Sequence, residues 1–160
     1  MRDFILFSVV TVLSILGVAA AVTYIGQGRD SQNSNSATTD LLTLVQNVQG
    51  VYGINQSFSG IQNSNVISGG MAPVAIVSGS NLVNEFNGAI TVASASPNTT
   101  FTVTEDGIPN SVCAKFATSS PNSLKSLTVN GTQMLPPISP STVATNCQAG
   151  VNQIIFEFGH

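Results

Sequence analysis

Few side chains in this sequence can do chemistry, and they are scattered. The single histidine is His160, at the last position. A Ser-His-Asp or Cys-His centre needs an imidazole held by its surroundings, so His160 reads as a frayed tail. Glu105 and Asp106 are adjacent acids before Gly107. Calcium draws its ligands from several spaced oxygens, and the pair reads instead as a solvated turn. Asn55-Gln56-Ser57, Asn98-Thr99-Thr100 and Asn130-Gly131-Thr132 match the glycosylation acceptor pattern. A chain this rich in Asn, Ser and Thr produces such matches by chance. No phosphate loop, metal-ligand cluster or acid-base pair is present. The expectation is no catalytic, cofactor-binding or metal-binding residue, no cofactor, and no enzyme activity.

The two cysteines, Cys113 and Cys147, lie 34 positions apart. In an oxidising compartment they pair. The loop so closed is worth roughly 3 to 4 kcal/mol through its constraint on the unfolded chain. Two free buried thiols in a reducing compartment are the alternative. Only 7% of the 160 residues are charged, against about 25% in an average soluble domain. The four basic residues, Arg2, Arg29, Lys115 and Lys125, form no patch, so no direct nucleic-acid binding is expected.

The elements that must position these residues begin with Phe4 to Ile25, an uncharged run behind Met1-Arg2-Asp3. Its roughly 22 residues reach about 33 Å as a helix, a bilayer-spanning length. A cleaved signal needs a basic start and a shorter apolar core, whereas Asp3 here cancels Arg2. Gly26 to Ser36 is polar, with Gly, Ser and Asn lowering helix propensity, and reads as a weak helix or a joint. Leu41, Leu44, Val45, Val48 and Tyr52 then share one helix face, ending at Gly50 and Gly53.

Residues 54 to 70 read as a long surface connection, and Ala72 to Val77 as either a strand or a helical turn. Ile90 to Ala95 and Thr100 to Glu105 read as a hairpin around Ser96-Pro97-Asn98-Thr99, after which Glu105-Asp106-Gly107 turns the chain. A short helix over 108 to 116 carries Cys113. Leu124 to Val129 is a third strand closed by Asn130-Gly131, and Pro136, Pro137 and Pro140 enforce an irregular return to Cys147. Asn152 to Phe158 is an interior strand. The fold class is α+β, with a long N-terminal hydrophobic helix continuing into a head whose antiparallel β-sheet packs on the helix's second half. Two parts are expected: the helix over 1 to 53, divided into a membrane or filament-core half (1 to 25) and a head-packed half (26 to 53), and the head over 54 to 160 with its disulfide loop 113 to 147.

That order of parts, with Gly107-Ile108-Pro109 before Cys113 and the ending from Cys147 to Asn152-Gln153-Ile154-Ile155-Phe156, resembles the mature type IV pilins. It looks most like the type IVb major pilins, including those of conjugative thin pili. The resemblance implies a structural subunit of a helical homopolymer of identical subunits. Such a subunit is held in the inner membrane before assembly, processed by a prepilin peptidase, passed to the pilus assembly machinery and located finally in an extracellular pilus. It further implies N-methylation of Met1 and a filament core built from Phe4, Ile5, Leu6, Phe7, Val9, Val10, Leu13, Leu16 and Gly17. The sequence departs from the family at the fifth position, where Ile5 replaces the usual Glu. Asp3, the only acid nearby, either takes over the contact with the Met1 amine of an adjacent subunit or stays at headgroup level as a helix N-terminal acid. The competing readings are a minor pilin and a membrane-anchored extracytoplasmic binding or adhesin domain that does not polymerise.

Overall fold

The computed structural model describes residues 28 to 55, 57 to 121 and 123 to 159. The apolar run 4 to 25, Met1, Asp3 and the filament-core positions lie outside the described residues. Among the described residues, no helix is long and apolar enough to cross a membrane.

The first described element, α1, is helical over residues 28 to 52 and runs into a short 3-10 turn, Gly53–Asn55. Ser34, Ala37, Leu41, Leu44, Val45 and Val48 are buried along one face, as the spacing requires. The polar stretch is no joint where it is described, because residues 28 to 36 are helical. Tertiary bonds offset its weak propensity: Ser111 Oγ donates to Asp30 Oδ2 at 2.6 Å, Asn33 Nδ2 to Glu85 O at 3.3 Å and Lys115 Nζ to Asn35 Oδ1 at 3.0 Å.

The connection after α1 is not a plain surface loop. It holds α2 (Asn63–Ser68) and buries Phe58, Ile61 and Val66. Asn63 is the reason it folds down: its Nδ2 donates to Ile90 O at 2.7 Å and its Oδ1 accepts from Val92 N at 2.7 Å, copying a strand partner. The segment 72 to 77 resolves into a 3-10 turn, Val74–Ile76, leading into β1 (Val77–Ser78).

The sheet has seven antiparallel strands: β1, β2 (Asn81–Val83), β3 (Ala89–Ala95), β4 (Thr100–Pro109), β5 (Leu124–Val129), β6 (Thr132–Met134) and β7 (Val151–Phe158). Their spatial order is β1-β2-β3-β4-β7-β5-β6, so the last strand in sequence is interior. Phe101 faces Phe158 across β4 and β7, and Phe101 also packs on Phe58 at 4.7 Å between ring centroids.

Two further expectations are corrected. Glu105-Asp106-Gly107 does not turn the chain, because β4 continues to Pro109 through a bulge between Glu105 and Ile108, with Gly107 at φ +72°. A bulge absorbs an extra residue without ending the pairing, so a turn-like tripeptide sits inside a strand. The proline-rich return contains a helix, α4 (Pro140–Asn146), because Pro140 falls in the first turn, where no backbone N–H is needed. The helix carrying Cys113, α3, spans Asn110–Thr118 with Pro109 just before it.

Candidate functional site

Two regions of the head stand out for the bonds and the burial that fix its surface.

The first is the loop between the cysteines. Cys113 on α3 is fully buried and bonded to Cys147, which caps the C-terminus of α4, with an S–S distance of 2.03 Å and Cα atoms 6.0 Å apart. Beside it, Asn152 of β7 is 2% exposed and makes four hydrogen bonds. Its Nδ2 donates to Ile108 O (3.1 Å) and Gln148 O (3.2 Å), while its Oδ1 accepts from Gln148 N (2.6 Å) and Asn130 Nδ2 (2.7 Å). Asn130 Nδ2 also donates to Asn146 O at 2.8 Å, and Asn130 Oδ1 accepts from Gln153 N at 3.1 Å. The β5-β6 turn, the disulfide and β7 are therefore one unit. Asn130 is occupied by these bonds, which leaves its acceptor pattern a match of sequence only.

Outward from this unit lies an open cavity of about 220 Å³ lined by Met134, Leu135, Pro137, Ile138, Ser139 and Thr142. Leu135 is 68% exposed. At the far end of α1, Val51 and Ile54 are also exposed, and Val74 stands out at 90%. Isolated exposed apolar residues of this kind are ordinary.

The second region is the seam between α1 and the sheet. Glu105, expected in a solvated turn, is 2% exposed on the buried face of β4 with Phe101, Val103 and Ile108. Asn84 Nδ2 donates to its Oε2 at 2.9 Å. Burial pushes the Glu105 carboxyl up to about 8, opposed by that hydrogen bond and aided by the charges of Asp106 and Asp40. Asp40 on α1 is raised as well, by burial first and then by Glu85. An open groove of about 400 Å³ runs beside it, lined by Asn35, Ser36, Thr39, Asp40, Ala75 and Glu85. Among the described residues, no group of three His, Cys, Asp or Glu side chains is placed to hold a metal ion.

The structure thus brings Cys113 and Cys147 together, keeps Glu105 and Asp106 apart in environment, and leaves Met1, Asp3, Phe4 to Gly17 and His160 outside its described residues. Sequence reading missed Asn84 and Asn152. The signal for Asn84 was the Asn87-Gly88 dipeptide three residues on, a turn mark that implies a loop folding back.

A model of the family described as PilS N terminal matches residues 31 to 158. No curated protein sequence matches the chain. Among solved structures it is similar to TcpA, a type IV pilin from Vibrio cholerae El Tor biotype, with a TM-score of 0.55 and 14% identity, over 79% of this chain and 98% of that one. At that identity the likeness is one of fold.

Proposed function

Since this chain belongs to the PilS N-terminal family of type IVb pilins, and is therefore a pilus subunit and not an enzyme, we propose that it is the major subunit of its filament. The observation that carries the reading is the family match over nearly the whole described head, joined to an α1 whose apolar face is built into the head's core. The helix that carries this face follows the uncharged run 4 to 25 in sequence, across the polar stretch 26 to 36.

In this reading the run 4 to 25 holds the subunit in the inner membrane before assembly. It then packs against the same segment of neighbouring copies through Phe4, Ile5, Leu6, Phe7, Val9, Val10, Leu13, Leu16 and Gly17. Lipid is as apolar as a filament core, so the transfer gains little from hydrophobicity and depends on packing and on polar contacts at the helix ends. Asp3 and the N-methylated amine of Met1 supply such a contact. A head-to-tail interface that does not close on itself gives an open helical filament. A prepilin peptidase and the pilus assembly machinery are the partners this route requires. The nearly neutral head surface supports close lateral packing, since few charges must be paired or stripped of water.

Electron microscopy of material sheared from cells, with the chain identified by mass spectrometry, tests the reading. Abundant filaments made of this chain are expected. Trace amounts within filaments of another subunit assign it as a minor pilin, and its retention in the membrane with no filament assigns it as an anchored binding module.

A further inference from the structure

Glu105 sits in the middle of the sheet's buried face. Its neighbours across the strands are Ile90 on β3 and Ile154 on β7, both buried. The side chain that reaches it is Asn84, which begins the loop between β2 and β3. Asn84 Nδ2 donates both to Glu105 Oε2 (2.9 Å) and to Asp106 O (2.8 Å). Asn84 Oδ1 accepts from Phe86 N (3.0 Å) and Gly88 N (2.8 Å). One carboxamide therefore folds the loop and fastens it to the bulge. The fit is tight, since a Cβ on Gly88 would lie 1.7 Å from Asp106 O. On its other side the loop touches the helix, with Asn33 Nδ2 of α1 donating to Glu85 O at 3.3 Å.

The charged groups acting on Glu105 are Asp106 from its own strand and Asp40 from α1, and Asp40 in turn feels Glu85 from the loop. All three are acidic. An ionised Glu105 would gain one amide hydrogen bond and no counter-charge, which does not offset the loss of water around a carboxylate. Hydration is the remaining route. An open cavity of about 380 Å³ borders the loop, with Asn84, Glu85, Asn87 and Ile76 in its lining.

We propose that Glu105 makes the seam between α1 and the sheet proton-dependent: the loop over residues 84 to 88 closes it while the carboxyl is protonated and lifts to admit water once the proton is lost. The closed form holds its proton up to about pH 8, whereas a hydrated carboxyl releases it near its ordinary value of 4.5. Closure is therefore fully favoured below 4.5. The opening constant rises about tenfold per pH unit between those limits and levels off above the upper one.

Hydrogen exchange on the full chain in detergent micelles, from about pH 5 to about pH 9 and corrected for intrinsic rates, reads this opening directly. In the native chain, protection of residues 84 to 90 and 33 to 41 should fall about tenfold per unit and then flatten, while the disulfide-bonded region stays unchanged. Glu105→Gln keeps the shape and the Asn84 bond, and should abolish the slope. The same slope in Glu105→Gln, or none in the native chain, overturns the proposal. If Glu105→Gln loses protection throughout, carboxyl carbon NMR of the native chain decides: a Glu105 midpoint near 8 supports the latch, and an ordinary carboxylate midpoint sinks it.

Discussion

Asn152 and Glu105 are both buried polar side chains, and their surroundings give them opposite effects on stability. Asn152's bonds tie Ile108 on β4, Asn130 in the β5-β6 turn and Gln148 beside the disulfide to one another. Asn152→Ala strands the carbonyl of Ile108 and the N–H of Gln148, and should cost roughly 2 to 4 kcal/mol in denaturant unfolding. Glu105 has a raised folded pKa, so the folded state binds its proton more tightly than the unfolded chain does. Stability from this group is greatest below 4.5, falls as pH rises toward about 8, and is constant beyond. Glu105→Gln should accordingly raise stability at pH 7, by on the order of 3 kcal/mol, and leave it unchanged at low pH, as melting curves at the two pH values would show. Neither role was legible in the sequence. The chain is crowded with Asn, and nothing local marks Asn152 as a buried one. Glu105-Asp106-Gly107 carries the residue types of an exposed turn, and only pairing with both β3 and β7 reveals that the strand runs through it.

At the scale of elements, legibility followed the strength of the pattern. The apolar face of α1, the β3-β4 hairpin, the Asn130-Gly131 turn and the interior position of β7 could all be read, because period and turn chemistry agree with the tertiary structure there. Asn130 and Gly131 both take positive φ, as a tight hairpin turn demands. α2 and α4 could not be read. Each is only one or two turns long and polar, and each is held by contacts distant in sequence, such as Asn63 on β3 and the disulfide on α4. This dependence gives a prediction. Cys113→Ser or Cys147→Ser frees the segment from 113 to 147 and should destabilise the head by roughly 2 to 5 kcal/mol. Exchange should rise first in α4, while α1 and β3 keep the protection they have in the native chain at the same pH.

On the scale of the whole molecule, the head and α1 share one core, so a filament that holds the helix also holds the head. The N-terminal contact is the point of failure in the proposed assembly. Asp3→Ala should leave the subunit in the membrane fraction but reduce the yield of sheared filaments at least several-fold, and Arg2→Ala should matter less if the Met1 amine is the partner. Equal filament yield from Asp3→Ala cells would exclude the assembly role. The position of β7 has a consequence in the order of synthesis. Strands β1 to β4 form one meander and β5 with β6 form a hairpin, and what joins these two half-sheets is β7, paired to β4 on one side and β5 on the other. A chain emerging from its N-terminus carries two open edges until Val151 and the residues after it arrive. Unpaired edges invite pairing with other chains, so the interval is a hazard that ends only when the late strand docks. A subunit interrupted before Val151 cannot close its sheet. Arrival of β7 is thereby written into the fold as a condition for presenting a finished surface to the filament.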